Sequence, residues 1–520
     1  MKVCMFVYNN CKFDARVLKE AKSLAKAGYD VKIIAVLSKD TLPYEERDGF
    51  KIIRVVKDPL HYRILRKSKD FRVAGILKGG LTKVRSFLSS ICENLHLSLR
   101  AYHRVKKKFI QIYREIEQTI KEKRVRRALR EGLRDPANIP PMGWPFLLGF
   151  AIYRGSRKAL YRCIRHPVRV VWSRYVRKSL HRAYRYHLMG VVRGFIYKML
   201  RKFLMVFHKP LSYLVYYQRS LAIVREEPAD IYHAHDLNTL PVAYLAVRRY
   251  GGKLVYDSHE LYTETSNLSR AERIVSRLTE RFLIRRCHAV ITVNDSIARE
   301  LKARYKIQRP TVIMNCPMLP SHSCKSNLLR EKLGLSEKEP LVLYQGGFSP
   351  HRGLENLLTA IALVPRGKLV MMGWGRLEED LRTIAQAKGL MNNRVFFLPP
   401  VPQDELLLWT SSADAGVIPY RNVGLNNYFS LPNKLFEYIV AGIPVVASDF
   451  PELRRVIEEF KVGCTFNPDD PKDIARAISW VFEDEKRLVE LKENARRAAA
   501  VLNWENEEKK LLELYRKLLP

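Results

Sequence analysis

The stretch Asn426–Ser448, NNYFSLPNKLFEYIVAGIPVVAS, reads as a loop, a helix, a turn and a strand. Ser430 stands where an N-cap belongs, its hydroxyl placed to accept from a first-turn amide. Pro432 falls in that first turn, where a missing N–H costs nothing. Leu435, Phe436, Ile439 and Val440 form an apolar stripe at helical spacing. Ala441-Gly442 ends the helix, Pro444 blocks its return, and Val445-Val446-Ala447 reads as a short buried strand. Lys434 lies in the first turn and Glu437 just beyond it. A helix N-terminus with free amides and a nearby cation is an anion site. A carboxylate a few residues on can hold the hydroxyls of a sugar ring. The arrangement suits a nucleoside diphosphate; an amphipathic helix with a solvated Lys–Glu face is the plain alternative.

Outward from this stretch, the chain alternates strands and helices. Lys2–Tyr8 is a continuous apolar run, like a parallel strand covered on both faces. A helix from Asp14 to about Ala27 follows, then strands Asp30–Leu37 and Phe50–Val56. The rhythm stops at Lys57 and resumes with strands Asp230–His233, Lys253–Tyr256, Ala289–Val293 and Thr311–Met314. A second series places strands at Leu341–Gln345, Lys368–Met372, Arg394–Leu398, Ala415–Ile418 and Pro444–Ala447. Strand–helix–strand order predicts α/β domains with ligands at the carboxyl ends of the strands. We expect two Rossmann-like domains facing a cleft: 1–56 plus 221–316, and 341–502. An insertion fills 57–220, a linker 317–340, and a last helix, 503–520, is expected to pack back on the first domain.

The 520 residues carry a net charge of +39 and are 47% hydrophobic, enough apolar content for sizeable cores. The charge is concentrated. Residues 57–220 hold 39 Lys and Arg against 8 Asp and Glu, and no acidic residue occurs from Pro136 to Arg225. Trp, Tyr and Phe are interspersed among these cations along helical patterns. Such a block fits an anionic bilayer surface, with aromatics at the headgroups. A solvated or protein-binding insertion and a nucleic-acid surface are alternatives. Eight scattered cysteines without a C-x-x-C pair point to reduced thiols rather than a zinc site or disulfide frame. The N-terminus reads as a strand, not a signal peptide, and the longest apolar run, Gly143 to Tyr153, is too short to span a bilayer.

Ordered loops carry the chemistry. YQGGFSPHRGLENL follows the first strand of the second series; Gly346 and Gly347 permit close backbone approach, and Arg352 sits where the next helix begins. A guanidinium there can neutralise a diphosphate. MMGWG follows the next strand, where Gly373 and Gly375 leave room for a flat base or ribose. In the first series, HAHD and VYDSHE follow consecutive strands, placing His235, Asp236, Asp257, His259 and Glu260 near strand ends. Asn9 and Asn10 form the first such loop. His233 is assigned to the opposite face, in a structural role, and Asp14 and Arg16 to capping and pinning the first helix.

With DARVLKEAKSLAKAG, HAHD, VYDSHE, ITVN, the Arg352-Gly loop and the Glu437 helix in this order, the chain resembles the GT-B glycosyltransferases, and specifically glycosyltransferase family four, over 1–56 and 221–520. The quoted motifs leave 57–220 unmatched. The resemblance implies a retaining, metal-independent transfer from a nucleotide-sugar held by the second domain to an acceptor held by the first. It assigns Arg352, the Leu431 amide, Pro432 and Ser430 to the diphosphate side with Lys434, Glu437 to the ribose, and His235 to the donor sugar. It also implies a lipid-linked or glycan acceptor, a cytoplasmic location on the inner face of the cell membrane, and no cofactor. Two positions depart from the pattern. Phe429 stands where the family's first glutamate is expected, and Gly347 where an arginine is. Asn426 and Asn427 are candidate replacements for the missing sugar contact. A membrane-bound binding protein that kept the fold without turnover is the alternative reading.

Overall fold

The computed structural model describes residues 1–58, 208–320 and 326–518, with Tyr62, Tyr197, Lys198, Arg201 and Met205 as isolated positions. The expected insertion helices and their aromatic-basic pattern fall outside the described residues. Two compact units are present, residues 1–57 with 213–520 and residues 58–212; only the first is described in detail.

Its first sheet contains β1 (Lys2–Phe6), β2 (Asp30–Val36), β3 (Tyr44–Arg47), β4 (Phe50–Val55), β5 (Ile231–His235), β6 (Lys253–Ser258), β7 (Ala289–Thr292) and β8 (Thr311–Val312). The order is β3-β4-β2-β1-β5-β6-β7-β8, parallel except for β3 against β4. Helices α1 (Ala15–Lys26), α2 (His208–Glu226), α3 (Leu240–Tyr250), α4 (Arg270–Ile284) and α5 (Asp295–Tyr305) accompany it. The second sheet contains β9 (Leu341–Gln345), β10 (Lys368–Met372), β11 (Val395–Leu398), β12 (Ala415–Ile418), β13 (Val445–Ser448) and β14 (Gly463–Phe466), all parallel in the order β11-β10-β9-β12-β13-β14. With it come α6 (Leu328–Leu333), α7 (Leu354–Leu363), α8 (Glu378–Ala387), α9 (Leu406–Thr410), α10 (Leu425–Tyr428), α11 (Asn433–Val440), α12 (Pro451–Phe460), α13 (Pro471–Phe482), α14 (Glu485–Ala499) and α15 (Trp504–Leu518). The strand order reverses between β1 and β5 and between β9 and β12. Those two switch points open crevices at the carboxyl ends of their sheets.

Three boundaries differ from the sequence reading. The first domain resumes before residue 221, because Tyr216 on α2 is buried in its core and donates to the carbonyls of Val7 and Ile34 at 3.1 and 2.9 Å. The stretch assigned to a linker contains α6. Its Leu329 is fully buried in the second domain, and Arg330 pairs with Asp414. The helix after Asn426 begins at Asn433, with Pro432 as its extended N-cap; Ser430 caps nothing, and its buried hydroxyl has no hydrogen-bond partner.

Helix α15 crosses to the first domain. Trp504, Leu511 and Tyr515 are buried in the layer formed by α1 and the β1–β2 region, and the Trp504 indole donates to Ser23 Oγ at 2.9 Å. The Tyr515 hydroxyl lies 2.8 Å from His233 Nδ1.

Candidate active site

A cleft of about 1560 Å³ lies between the two sheets of the first unit. Its second-domain wall is built from loop ends. Gly346, Gly347, Arg352, Gly373, Ser430, Leu431, Pro432, Lys434 and Glu437 all line it. Gly375 does not, and the glycines of MMGWG serve packing rather than space for a base. A Cβ on Gly373 would sit 2.0 Å from the Gly346 carbonyl oxygen, and one on Gly375 2.3 Å from that of Phe348. The two loops touch backbone to backbone.

Two cations face the cleft here. The Arg352 guanidinium lies 4.1 Å from the Tyr420 ring centroid. Lys434 Nζ lies 3.9 Å from the Tyr344 centroid and 5.3 Å from that of Tyr420. Among the described residues no carboxylate forms an ion pair with either, and the Leu431 amide donates to no protein group. Burial and the neighbouring Arg352 push the Lys434 ammonium well below its ordinary range. An anion would reverse that cost by supplying the missing counter-charge.

Glu437 is held from behind. Gln345 Nε2 donates to Glu437 Oε2 at 2.5 Å, and Gln345 Oε1 accepts from Thr410 Oγ1 at 2.8 Å. Burial raises the Glu437 carboxyl, and the Gln345 bond works against that rise. Gln345 and Thr410 escaped the sequence reading. The available signal was a glutamine ending an otherwise apolar buried strand, LVLYQ.

On the first-domain wall, His259 and Glu260 line the cleft while His235, Asp236 and Asp257 do not. His235 was expected to meet the donor sugar. It is instead fully buried beneath His259, its Nδ1 3.2 Å from His259 Nε2 and 3.5 Å from Asp257 Oδ2. His233 is not on the opposite face; its ring stacks on His235 at 4.2 Å, because residues two apart in a strand share a side. Burial lowers both imidazoles. Asp257 receives a two-pronged bond from Arg16, at 2.7 and 3.0 Å, and Arg16 also lies 3.1 Å from Glu20. Glu20, His233, His235 and Asp257 lie close enough to hold a metal ion, but the Arg16 guanidinium already supplies positive charge to both carboxylates. Asp14 caps α1 through the Val17 amide.

Of the three imidazoles, His259 is the charged one. Burial disfavours its cation, yet Asp236 and Asp257 outweigh that and raise its pKa to about 10. The imidazolium contributes stability fully below the free value near 6.5, and this contribution is lost as pH rises through about 10. We expect the His259 side-chain NMR signals to report the imidazolium at about pH 8. Unfolding free energy should fall between neutral pH and pH 10, and less so in Asp236→Asn. A His259 titration near 6.5 would contradict this.

Asn9 and Asn10 line a smaller adjoining pocket of about 460 Å³ that also reaches Glu437. Their amides hold their own loop, Asn9 bonding Asp14 and the Cys11 amide, Asn10 bonding Ser38 and the Lys12 amide. Both Asn426 and Asn427 line the main cleft. Asn426 is not free for a sugar: it donates to Glu260 and accepts from the Leu261 amide, both at 2.9 Å, tying the two walls together. Phe429 packs against the core of the first domain, and its carbonyl accepts from Asn294 at 2.7 Å.

A family model described as Glycosyl transferases group 1 matches residues 325–498, and one described as Glycosyltransferase Family 4 matches residues 158–316. The chain is a GT-B glycosyltransferase that resembles family four. The second match begins inside the block that the motifs left unmatched, so the family likeness extends upstream of residue 221. The glycosyltransferase is 27% identical to the D-inositol 3-phosphate glycosyltransferase of Thermomonospora curvata over 313 residues, 55% of this chain and 71% of the relative. It is 25% identical to that of Xylanimonas cellulosilytica over 305 residues, again 55% and 71%. Sucrose-phosphate synthase from Thermosynechococcus elongatus superposes with a TM-score of 0.61 at 16% identity, covering 100% of this chain and 99% of that one. Anabaena HepE, solved with UDP and glucose, gives 0.58 at 13%, covering 99% and 100%. These last two are likenesses of fold. No helix among the described residues of the glycosyltransferase is long and apolar enough to cross a membrane.

Proposed function

We propose that the enzyme moves a hexosyl or N-acetylhexosaminyl group from a nucleoside diphosphate donor to an acceptor, with retention at the anomeric carbon and without a metal. The observation that carries this reading is the pair Arg352 and Lys434, which form no ion pair with a carboxylate among the described residues and stand beside the start of α11. As the donor's glycosidic bond breaks, negative charge grows on the departing diphosphate. Donors already aimed at that position lower the barrier, because nothing must reorganise when the charge appears. Arg352, Lys434, the Leu431 amide and the Ser430 hydroxyl are such donors. Glu437, steadied by Gln345, takes the ribose hydroxyls. The cation of His259 faces the same cleft from the other wall, and Asn427 is the remaining candidate for the sugar itself. Phe429 and Asn426 are committed to the domain interface, so sugar recognition here does not use the family's first glutamate.

The acceptor is proposed to be a polyol phosphate or a lipid-linked glycan presented at a membrane surface, with the enzyme peripheral on the cytoplasmic side. The inositol phosphate relatives and the basic block 57–220 support this reading. The test is a panel of UDP- and GDP-hexoses and N-acetylhexosamines, screened by thermal shift and then by transfer to inositol phosphate and lipid-linked acceptors in the presence of a chelator. A donor-dependent rise in melting temperature and an α-linked product from an α-linked donor are expected. Inverted product, or activity abolished by the chelator, would refute the corresponding part. Donor binding without any hydrolysis or transfer would favour the binding-protein alternative.

A further inference from the structure

Helix α4 carries its apolar residues on the wrong side for a core helix. Ile274, Val275, Leu278 and Phe282 are 60%, 63%, 62% and 51% exposed. The register is not free to turn them inward. The start is fixed by a capping box between Ser269 and Glu272. On the inner face, buried Glu280 accepts from the hydroxyls of Tyr256 and Tyr305 at 2.8 and 2.6 Å, beside buried Leu283 and Ile284. The outward stripe spans roughly 12 Å at 1.5 Å per residue.

Its surroundings are cationic. Arg270, Arg277, Arg281, Arg285 and Arg286 are exposed on or just after the helix. The Arg286 guanidinium lies 3.5 Å from the Phe282 ring centroid, leaving a cation and an aromatic face together at the surface. The two carboxylates of the helix are engaged elsewhere, Glu272 in the capping box and Glu280 in the core. Just before the cap, Thr265, Ser266 and Asn267 line the cleft.

We propose that the outward face of α4 docks on an anionic lipid bilayer, its apolar stripe entering the headgroup boundary and its arginines meeting lipid phosphates. An apolar strip flanked by exposed arginines, of which Arg277 pairs with Glu264 at 2.7 Å, matches that surface, which offers acyl chains and negative charge together. Docked so, the enzyme places the Thr265–Asn267 side of its cleft at the lipid surface, where a lipid-linked acceptor would enter. This deepens the acceptor reading above and rests on it only for that last step.

The full chain is mixed with phosphatidylcholine vesicles, with and without phosphatidylglycerol. Hydrogen exchange is expected to slow in peptides covering 270–286 only with the anionic vesicles. The variant Ile274→Ser/Leu278→Ser/Phe282→Ser should lose this protection, while Arg281→Glu should weaken it and make it more sensitive to salt. Both variants should keep donor hydrolysis unchanged, so loss of docking and failure of the transferase reading are separable. Unaltered exchange at 270–286 with anionic vesicles overturns the proposal, even if the chain floats through another segment. Equal protection by neutral and anionic vesicles overturns its charge component. Concentration-dependent self-association that the triple variant abolishes would assign the face to a second copy instead.

Discussion

Arg352→Ala is expected to lower kcat for donor turnover by roughly 10²–10³-fold, the usual cost of removing one donor aimed at developing negative charge. Arg352 lies over Tyr420 with no carboxylate partner among the described residues, so the substitution leaves no buried acid unpaired. Folding should be almost unaffected, and circular dichroism and thermal melts of the free enzyme should overlay those of the parent. The donor's Kd should also rise, because the ground-state diphosphate already carries charge. The kcat effect is the diagnostic part, since it measures what the guanidinium does as the bond breaks. Arg352→Lys should recover only a fraction. A lysine keeps the charge but loses the planar two-pronged contact and the stacking on Tyr420. Unchanged kcat in Arg352→Ala would remove the diphosphate assignment from this loop, and with it the main support for the donor site.

Arg16→Ala should behave in the opposite way, damaging stability before chemistry. Arg16 is 3% exposed and satisfies Asp257 with two bonds, Glu20 by proximity, and the Ile313 carbonyl at 2.8 Å. Removing one partner of a buried ion pair leaves an uncompensated charge and costs about 3–5 kcal/mol. Denaturant unfolding should show a lower midpoint with little change in slope. The loss should be partly recovered in Arg16→Met/Asp257→Asn, because that pair removes both charges together. Glu20 adds a pH signature. Burial is the main cause that raises its carboxyl to about 8, with Arg16 opposing. A raised acid lowers stability once the unfolded carboxyl ionises, so this contribution declines from about pH 4 to about pH 8. A variant as stable as the parent at neutral pH would mean that the network beneath His259 is not held by Arg16.

The α/β architecture was legible because strands covered on both faces must be continuously apolar, as VCMF, IIAV and LVLY are. The elements missed were those without that constraint. β3, YEER, is an exposed antiparallel edge and carries no apolar signal. β14 is four residues long and starts at a glycine whose Cβ would strike the Val445 carbonyl. At the site, the loops and their order gave Arg352, Lys434 and Glu437 to the cleft. Depth was not legible. His235 and His259 both follow strands in suggestive motifs, but which of them covers the other depends on how β5 and β6 end relative to one another. Phe429 illustrates the same limit: a missing glutamate reads as a lost sugar contact, whereas the structure gives that position a packing task against the first domain.

Helix α15 has a consequence for how the polypeptide is made. Trp504 and Tyr515 complete the core layer against α1 and β1–β2, which leave the ribosome well before α15 does. At roughly 5–20 residues per second, the intervening chain takes about half a minute to two minutes to emerge. During that interval the apolar surface around Val17, Ala21 and Leu24 has no lid. Nascent chains should therefore expose a chaperone-binding surface on the first domain until residue 515 is released, although that domain's sheet was translated long before.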